Sequence, residues 1–128
     1  MKKVYNVTKQ TDMLKYRERF VKFSVEGEFL TDVLNQWLTE NPGSLILDVA
    51  YAADDWNSTA VITYNLDDER AAKTNTGLQF IEMTEAGGNE AIDTQLNHWR
   101  EDHPQAQICD IRYGYSAGDW NVLVMYKE

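Results

Sequence analysis

A chain of 128 residues, 43% of them hydrophobic, can bury one real core but not two independent ones, so a single domain over residues 1–128 is expected. Its net charge of −9 disfavours an open nucleic-acid surface, because phosphate contacts need an excess of Lys and Arg. No apolar run reaches signal-peptide or membrane-helix length, which predicts a soluble, cytoplasmic protein without membrane contact.

The first 27 residues carry seven basic side chains, including Lys2, Lys15, Arg19 and Lys22, against three acidic ones; the rest of the chain holds five against eighteen. This basic segment either packs on the acidic remainder, in the same or a neighbouring subunit, or supplies part of an anion site. Residues 17–25 read as a strand through their β-branched and aromatic content. Met13, Tyr16, Phe20 and Phe23 also fall at helical spacing, so a helix over 12–24 after a short strand at 3–8 is the competing reading.

Phe29, Leu30, Val33, Leu34, Trp37 and Leu38 form one broad apolar stripe at helical spacing, and Pro42 ends that helix. Leu47, Val49 and Tyr51 then alternate outward, and Ala60, Ile62 and Tyr64 return, as in a half-buried hairpin. Trp56 is placed at the exposed tip of that hairpin, where it would contact a second subunit. The polar stretch 65–77 reads as a linker. A strand over 78–85 precedes a second helix, for which Asn89 is the expected N-cap, with Glu90 and Asp93 in the first turn and Pro104 after the end. A second hairpin follows, with Cys109, Ile111, Tyr113 and Tyr115 going out and Trp120, Val122, Val124 and Tyr126 coming back. Cys109 has no intrachain disulfide partner and reads as a buried, inert thiol.

Sliding the sequence by 62 residues pairs Leu34 with Leu96, Asn35 with Asn97, Trp37 with Trp99, Asp48 with Asp110 and Tyr51 with Tyr113, among eight identities between 30–64 and 92–126. An internal repeat accounts for these matches. The predicted fold is α+β: tandem β-α-β-β repeats, about 17–64 and 78–126, forming an antiparallel sheet with two helices packed on one face. The triplet Asp-Trp-Asn also occurs twice, at 55–57 and 119–121, but its copies stand 64 apart and so fall out of register. Trp120 therefore starts a strand and is structural or pocket-lining.

Chemistry-bearing motifs are sparse. His98 and His103, five apart at a helix end, do not share a face as metal ligands would, and no nucleophile, Cys pair or Gly-rich phosphate loop is recognisable. Neither a catalytic residue nor a metal or cofactor site is therefore assigned. Asp48 and Asp110 are read as solvent-facing strand positions. Aromatics are the enriched class, with four Trp, seven Tyr and four Phe. Tyr113, Tyr115 and Trp120 cluster about the second hairpin beside Arg112, while Phe80 lies on the strand before Asn89; Arg100 adds a cation on the second helix. An aromatic to stack a base, a guanidinium for phosphate and an amide for a polar edge are the parts of a nucleotide pocket; core filling is the plainer role for each ring taken singly.

The β-α-β-β unit carrying "ILDVAY" and "ICDIRY" resembles, in each half, the small sporulation-protein family of bacilli and their phages. In size and layout the whole chain resembles the Thoeris anti-defence family of phage proteins. That second resemblance implies a non-enzymatic, oligomeric sponge in the host-cell cytoplasm that sequesters a cyclic nucleotide or cyclic ADP-ribose-type immune signal between subunits. Phe80, Asn89, Arg100, Arg112, Tyr113, Tyr115 and Trp120 are the candidate ligand-binding residues. The alternatives are an acidic protein-interaction or inhibitor module, and a small sporulation-associated protein without a ligand.

Overall fold

The alternation of apolar and polar residues along the hairpins is the strongest organising signal, and the computed structural model, which describes residues 18–54 and 56–128, follows it. Strand β1 (Glu18–Glu26) leads into helix α1 (Leu30–Glu40) and the hairpin β2 (Leu45–Ala53) and β3 (Asn57–Asn65). A single helical turn, α2 (Ala71–Thr74), lies within the stretch read as a linker, with Ala71 fully buried. Strand β4 (Leu78–Thr84), helix α3 (Ile92–Asp102), and the hairpin β5 (Gln107–Ser116) and β6 (Asp119–Lys127) complete the described chain.

The fold is α+β with antiparallel pairing, as predicted, and the strands divide into two three-stranded sheets ordered β1-β3-β2 and β4-β6-β5. Residues 18–24 are strand, so the helical reading of 12–24 fails across that part; its alternating face buries Val25 and partly buries Val21 and Phe23, which a helix could not do. The remainder of that segment, the strand considered at 3–8 and most of the basic N-terminal side chains lie outside the described residues.

The two halves share more than strand order. Each outgoing hairpin strand carries a bulge at the same place, between Ile46 and Asp48 and between Ile108 and Asp110. The extra residue breaks the alternation. Leu47 and Cys109 are consequently exposed, which corrects the expectation of a buried thiol; Ile46 and Val49 take the inward positions in the first copy. The β5–β6 connection is a two-residue turn with Ala117 and Gly118 both at positive φ (51° and 88°).

Helix α3 starts at Ile92, not behind an Asn89 cap. Gly87 and Gly88, both at φ 79°, turn the chain so that Glu85 reaches the helix start and its carboxylate accepts the Ile92 N–H at 2.7 Å, while the Asn89 amide donates to the Ala86 carbonyl.

Among the described residues, the core forms two apolar clusters. Trp99, Met83, Val122, Val124 and Tyr126 join α3 to one face of the second sheet. The opposite face of that sheet contributes Leu78, Phe80 and Leu123 to the cluster around α1, together with Leu30, Leu34, Trp37, Val49 and Ile62. Helix α1 is thus shared by both sheets. Its polar flank also closes the outer edge of β4: the Asn35 side chain accepts the Phe80 N–H (2.7 Å) and donates to the Phe80 carbonyl (3.0 Å), and Thr31 Oγ1 accepts the Glu82 N–H (2.9 Å). An edge strand whose backbone groups are bonded by a helix cannot template pairing with another chain.

Candidate functional site

Among the described residues, a cleft and an exposed aromatic row are the places where candidate ligand-facing side chains come together. The first is a cleft of about 140 Å³ where the halves meet, between the loop before α1, the β2–β3 turn and the loop after β4. Glu82, only 5% exposed, sits in the floor. Its carboxylate accepts the N–H of Leu30, the first residue of α1, at 2.7 Å and the Tyr51 hydroxyl at 2.5 Å. Burial first, and then the adjacent Glu82 carboxylate, push the Tyr51 phenol far above its ordinary range. Asn121 on β6 is 2% exposed and also lines the cleft, and its Nδ2 has no hydrogen-bond partner. At the rim Phe29 and Trp56 are half and three-quarters exposed, the latter at the hairpin tip where the sequence put it. Asp54 holds that tip by accepting the N–H groups of Trp56 and Asn57 (3.0 and 2.8 Å), bonds that keep its carboxyl below the usual carboxylate range.

With Glu28, Asp54 and Glu82 as its charged lining and no basic residue among them, this cleft repels phosphate. Its volume is also below the roughly 300 Å³ at which small-molecule pockets begin. It suits the tip of a neutral or cationic group.

The second place is a row of exposed apolar side chains on the α3 face of the second sheet, beyond the helix. Ile108, Tyr113, Tyr115 and Trp120 are 44%, 52%, 60% and 43% exposed. Trp120 packs against Tyr115 with ring centroids 4.9 Å apart and meets Tyr113 edge-on at 6.4 Å. The backbone positions them firmly: Tyr115 pairs with Trp120 and Tyr113 with Val122 across β5 and β6, and Glu85 accepts the Trp120 N–H at 2.9 Å.

The structure therefore groups three of the seven candidate residues and separates four. Phe80 is 1% exposed beneath α1, with no face left for a ligand, because the helix stripe and β4 bury it together. Asn89 lies in the β4–α3 loop. Arg100, near the end of α3, donates to the Ala106 carbonyl. Arg112 is on the opposite strand face from Tyr113, where it joins the two sheets: its Nε donates to the Val49 carbonyl at 3.0 Å, and its guanidinium bridges Asp48 (3.1 Å) and Asp110 (3.2 Å). Asp48 and Asp110 thus serve as its counter-ions. His103 bonds the Glu128 carboxylate and stacks on Trp99, while His98 lies 3.8 Å from Glu90. Among the described residues no cluster of His, Cys, Asp or Glu could hold a metal ion, and no helix is long and apolar enough to cross a membrane.

Sequence reasoning passed over Tyr51, Glu82 and Asn121 as cleft residues. One signal was present: Glu82 occurs in phase with Leu78 and Phe80, an acid on an otherwise inward-facing row.

No family model matches this chain, and no curated protein or solved structure matches it either.

Proposed function

We propose that this chain is a non-enzymatic binding protein that sequesters a cyclic nucleotide or cyclic ADP-ribose-type signal, as the resemblance to the Thoeris anti-defence family implies. The observation that supports this reading is the row Tyr113, Tyr115 and Trp120: two tyrosine rings that each meet Trp120, fixed on two paired strands and open to solvent. Stacking of a base on such rings contributes about 1–3 kcal/mol per base and tolerates many bases. The small acidic cleft is not the nucleotide site; the row is large enough only if a second surface closes over it, so capture occurs between subunits.

Calorimetric titration with cyclic mononucleotides, cyclic dinucleotides and cyclic ADP-ribose isomers tests the proposal, with the ligand recovered intact after denaturation. One member of the panel should bind and quench Trp120 fluorescence, and Tyr115→Ala should weaken it by about tenfold or more. No binding across the panel contradicts the reading, and recovery of a cleaved product contradicts its non-enzymatic part.

A second reading, an acidic interaction or inhibitor module, draws on the net charge of −9 together with Trp56, 74% exposed at the tip of the first hairpin. It expects salt-sensitive partner binding that Trp56→Ala abolishes and that Tyr115→Ala leaves intact.

A further inference from the structure

Superposing the pairing registers of the two halves matches β1 with β4 at an offset of 60, because Phe20 faces Thr63 as Phe80 faces Met125, and Lys22 faces Val61 as Glu82 faces Leu123. The offset of 62 holds from the helices onward; the two additional residues fall in the loop before α3, which contains Gly87 and Gly88. Under this correspondence three of the contacts that α1 and β2 make with the second sheet have exposed counterparts at the two ends of the molecule, whereas the Arg112 contact with Asp48 and Val49 has none, the position matching Arg112 being Ala50. Phe80 is 1% exposed beneath α1, and its counterpart Phe20 is 69% exposed. Asn35 brackets the Phe80 peptide, and its counterpart Asn97 is exposed on α3. Tyr51 is partly buried against Glu82, and its counterpart Tyr113 is 52% exposed. Among the described residues no strand pairs with the outer edge of β1.

We propose that the protein assembles head to tail by repeating its own internal junction, the α3 flank and β5 row of one copy docking on the β1 edge and outer sheet face of the next. The occupant of both unpartnered surfaces is a second copy of this chain.

Among the residues that differ between the two surfaces, two sets change together. Inside the molecule Leu38 packs near Leu78; at the ends these positions are Arg100 and Glu18, both exposed and opposite in charge. Inside, Glu82 on the docked strand caps α1. At the ends α3 already carries its own capping carboxylate, Glu85, and the corresponding strand position is the exposed Lys22, which meets that acid and Asp93 with the opposite sign. A junction that swapped only one member of each pair would bury like or unpaired charges and be repelled.

The shapes also agree. Tyr51 lies over Gly114, where an added Cβ would meet its ring at 3.7 Å, an ordinary contact. Ala52, the counterpart of Gly114, therefore leaves room for Tyr113. The contact is heterologous, the two faces being different, so it propagates into a ring or a filament and does not stop at a two-fold dimer. It also places Lys22 of one copy against the aromatic row of the next, supplying the closing surface and a cation that the row lacks by itself. The assembly stands on the internal junction and not on the ligand reading.

The test is sedimentation velocity of the full chain over a wide concentration range, with Phe20→Asp and Tyr113→Asp as variants. Both positions are exposed, and unchanged thermal melts of the dilute variants verify that each folds. Wild type should sediment above monomer mass in a concentration-dependent way, and each variant should associate about tenfold more weakly or worse. An equimolar mixture of the two variants should recover a heterodimer and nothing larger, since one retains an intact β5 row and the other an intact β1 face. A wild-type monomer at every concentration overturns the proposal and leaves β1 to the preceding seventeen residues or to a different partner. Loss of assembly in both variants without recovery on mixing also overturns it, because that pattern belongs to an isologous contact.

Discussion

At the scale of single residues, Ala117 carries backbone strain and Tyr51 a buried polar contact that a substitution exposes directly. Ala117 occupies the left-handed region at φ 51°, where a Cβ costs about 1–2 kcal/mol, in a turn that favours Asn followed by Gly. Ala117→Asn should therefore raise stability by about 0.5–1 kcal/mol, read as an upward shift in the denaturant midpoint with unchanged m. Tyr51→Phe removes a donor from the buried Glu82 carboxylate and should cost about 1–3 kcal/mol at neutral pH. It also changes the alkaline limb. The Tyr51 phenol is raised by burial and by Glu82, so the folded state keeps a proton that the unfolded chain releases near pH 10. That contribution is whole below about pH 10 and is lost as pH rises beyond it. Wild type should lose stability above that pH, and Tyr51→Phe should show a shallower fall; Tyr126, whose phenol is also raised by burial, retains its share.

At the scale of elements, β4 and β1 are the informative pair. Asn35→Ala leaves the outward N–H and carbonyl of Phe80 unbonded beneath a helix and should destabilise the monomer by about 2 kcal/mol in chemical denaturation. Asn97→Ala, at the exposed counterpart, should leave the dilute monomer within about 0.5 kcal/mol of wild type. Equal costs would show that the two helices are not in different environments.

Much of this level was legible in the sequence. The stripe from Leu30 to Leu38, the proline stops, the hairpin alternation and the offset of 62 gave the helices and hairpins in their observed order. The bulges were not legible, because one extra residue in a strand leaves no compositional mark, and Cys109 was misplaced for that reason. The correspondence between Phe20 and Phe80 was hidden by the change of offset in the loop that holds Gly87 and Gly88. The capping of α3 by Glu85 was hidden too, since it depends on how those glycines turn the chain. Among the site candidates, Tyr113, Tyr115 and Trp120 share a row because alternation dictates it. Arg112 and Phe80 left the site because contacts between the halves, invisible to periodicity, claimed them.

At the scale of the molecule, the two halves are joined by an interface that uses one face of each sheet, while Phe20 on the other face of the first and the row beyond α3 on the other face of the second stay exposed. Helix α1 can serve two sheets because its stripe is broad. Helix α3 has a narrower stripe, with Arg100 where α1 has Leu38, and an exposed outer flank that carries Asp93 and Asn97. A polar flank facing the exposed Lys22 and Glu18 is what a separable contact between copies requires, whereas the Leu38 and Leu78 contact is what a permanent one requires.

Hydrogen exchange at the Phe20 and Lys22 amides tests that relation most directly, because the matching amides of Phe80 and Glu82 are bonded by Asn35 and Thr31 inside the molecule. The two β1 amides should exchange freely in dilute protein and become protected as concentration rises, with Tyr113→Asp abolishing the gain. Exchange at Phe20 and Lys22 that does not depend on concentration, whether fast or slow, would contradict a second copy as the occupant of that edge.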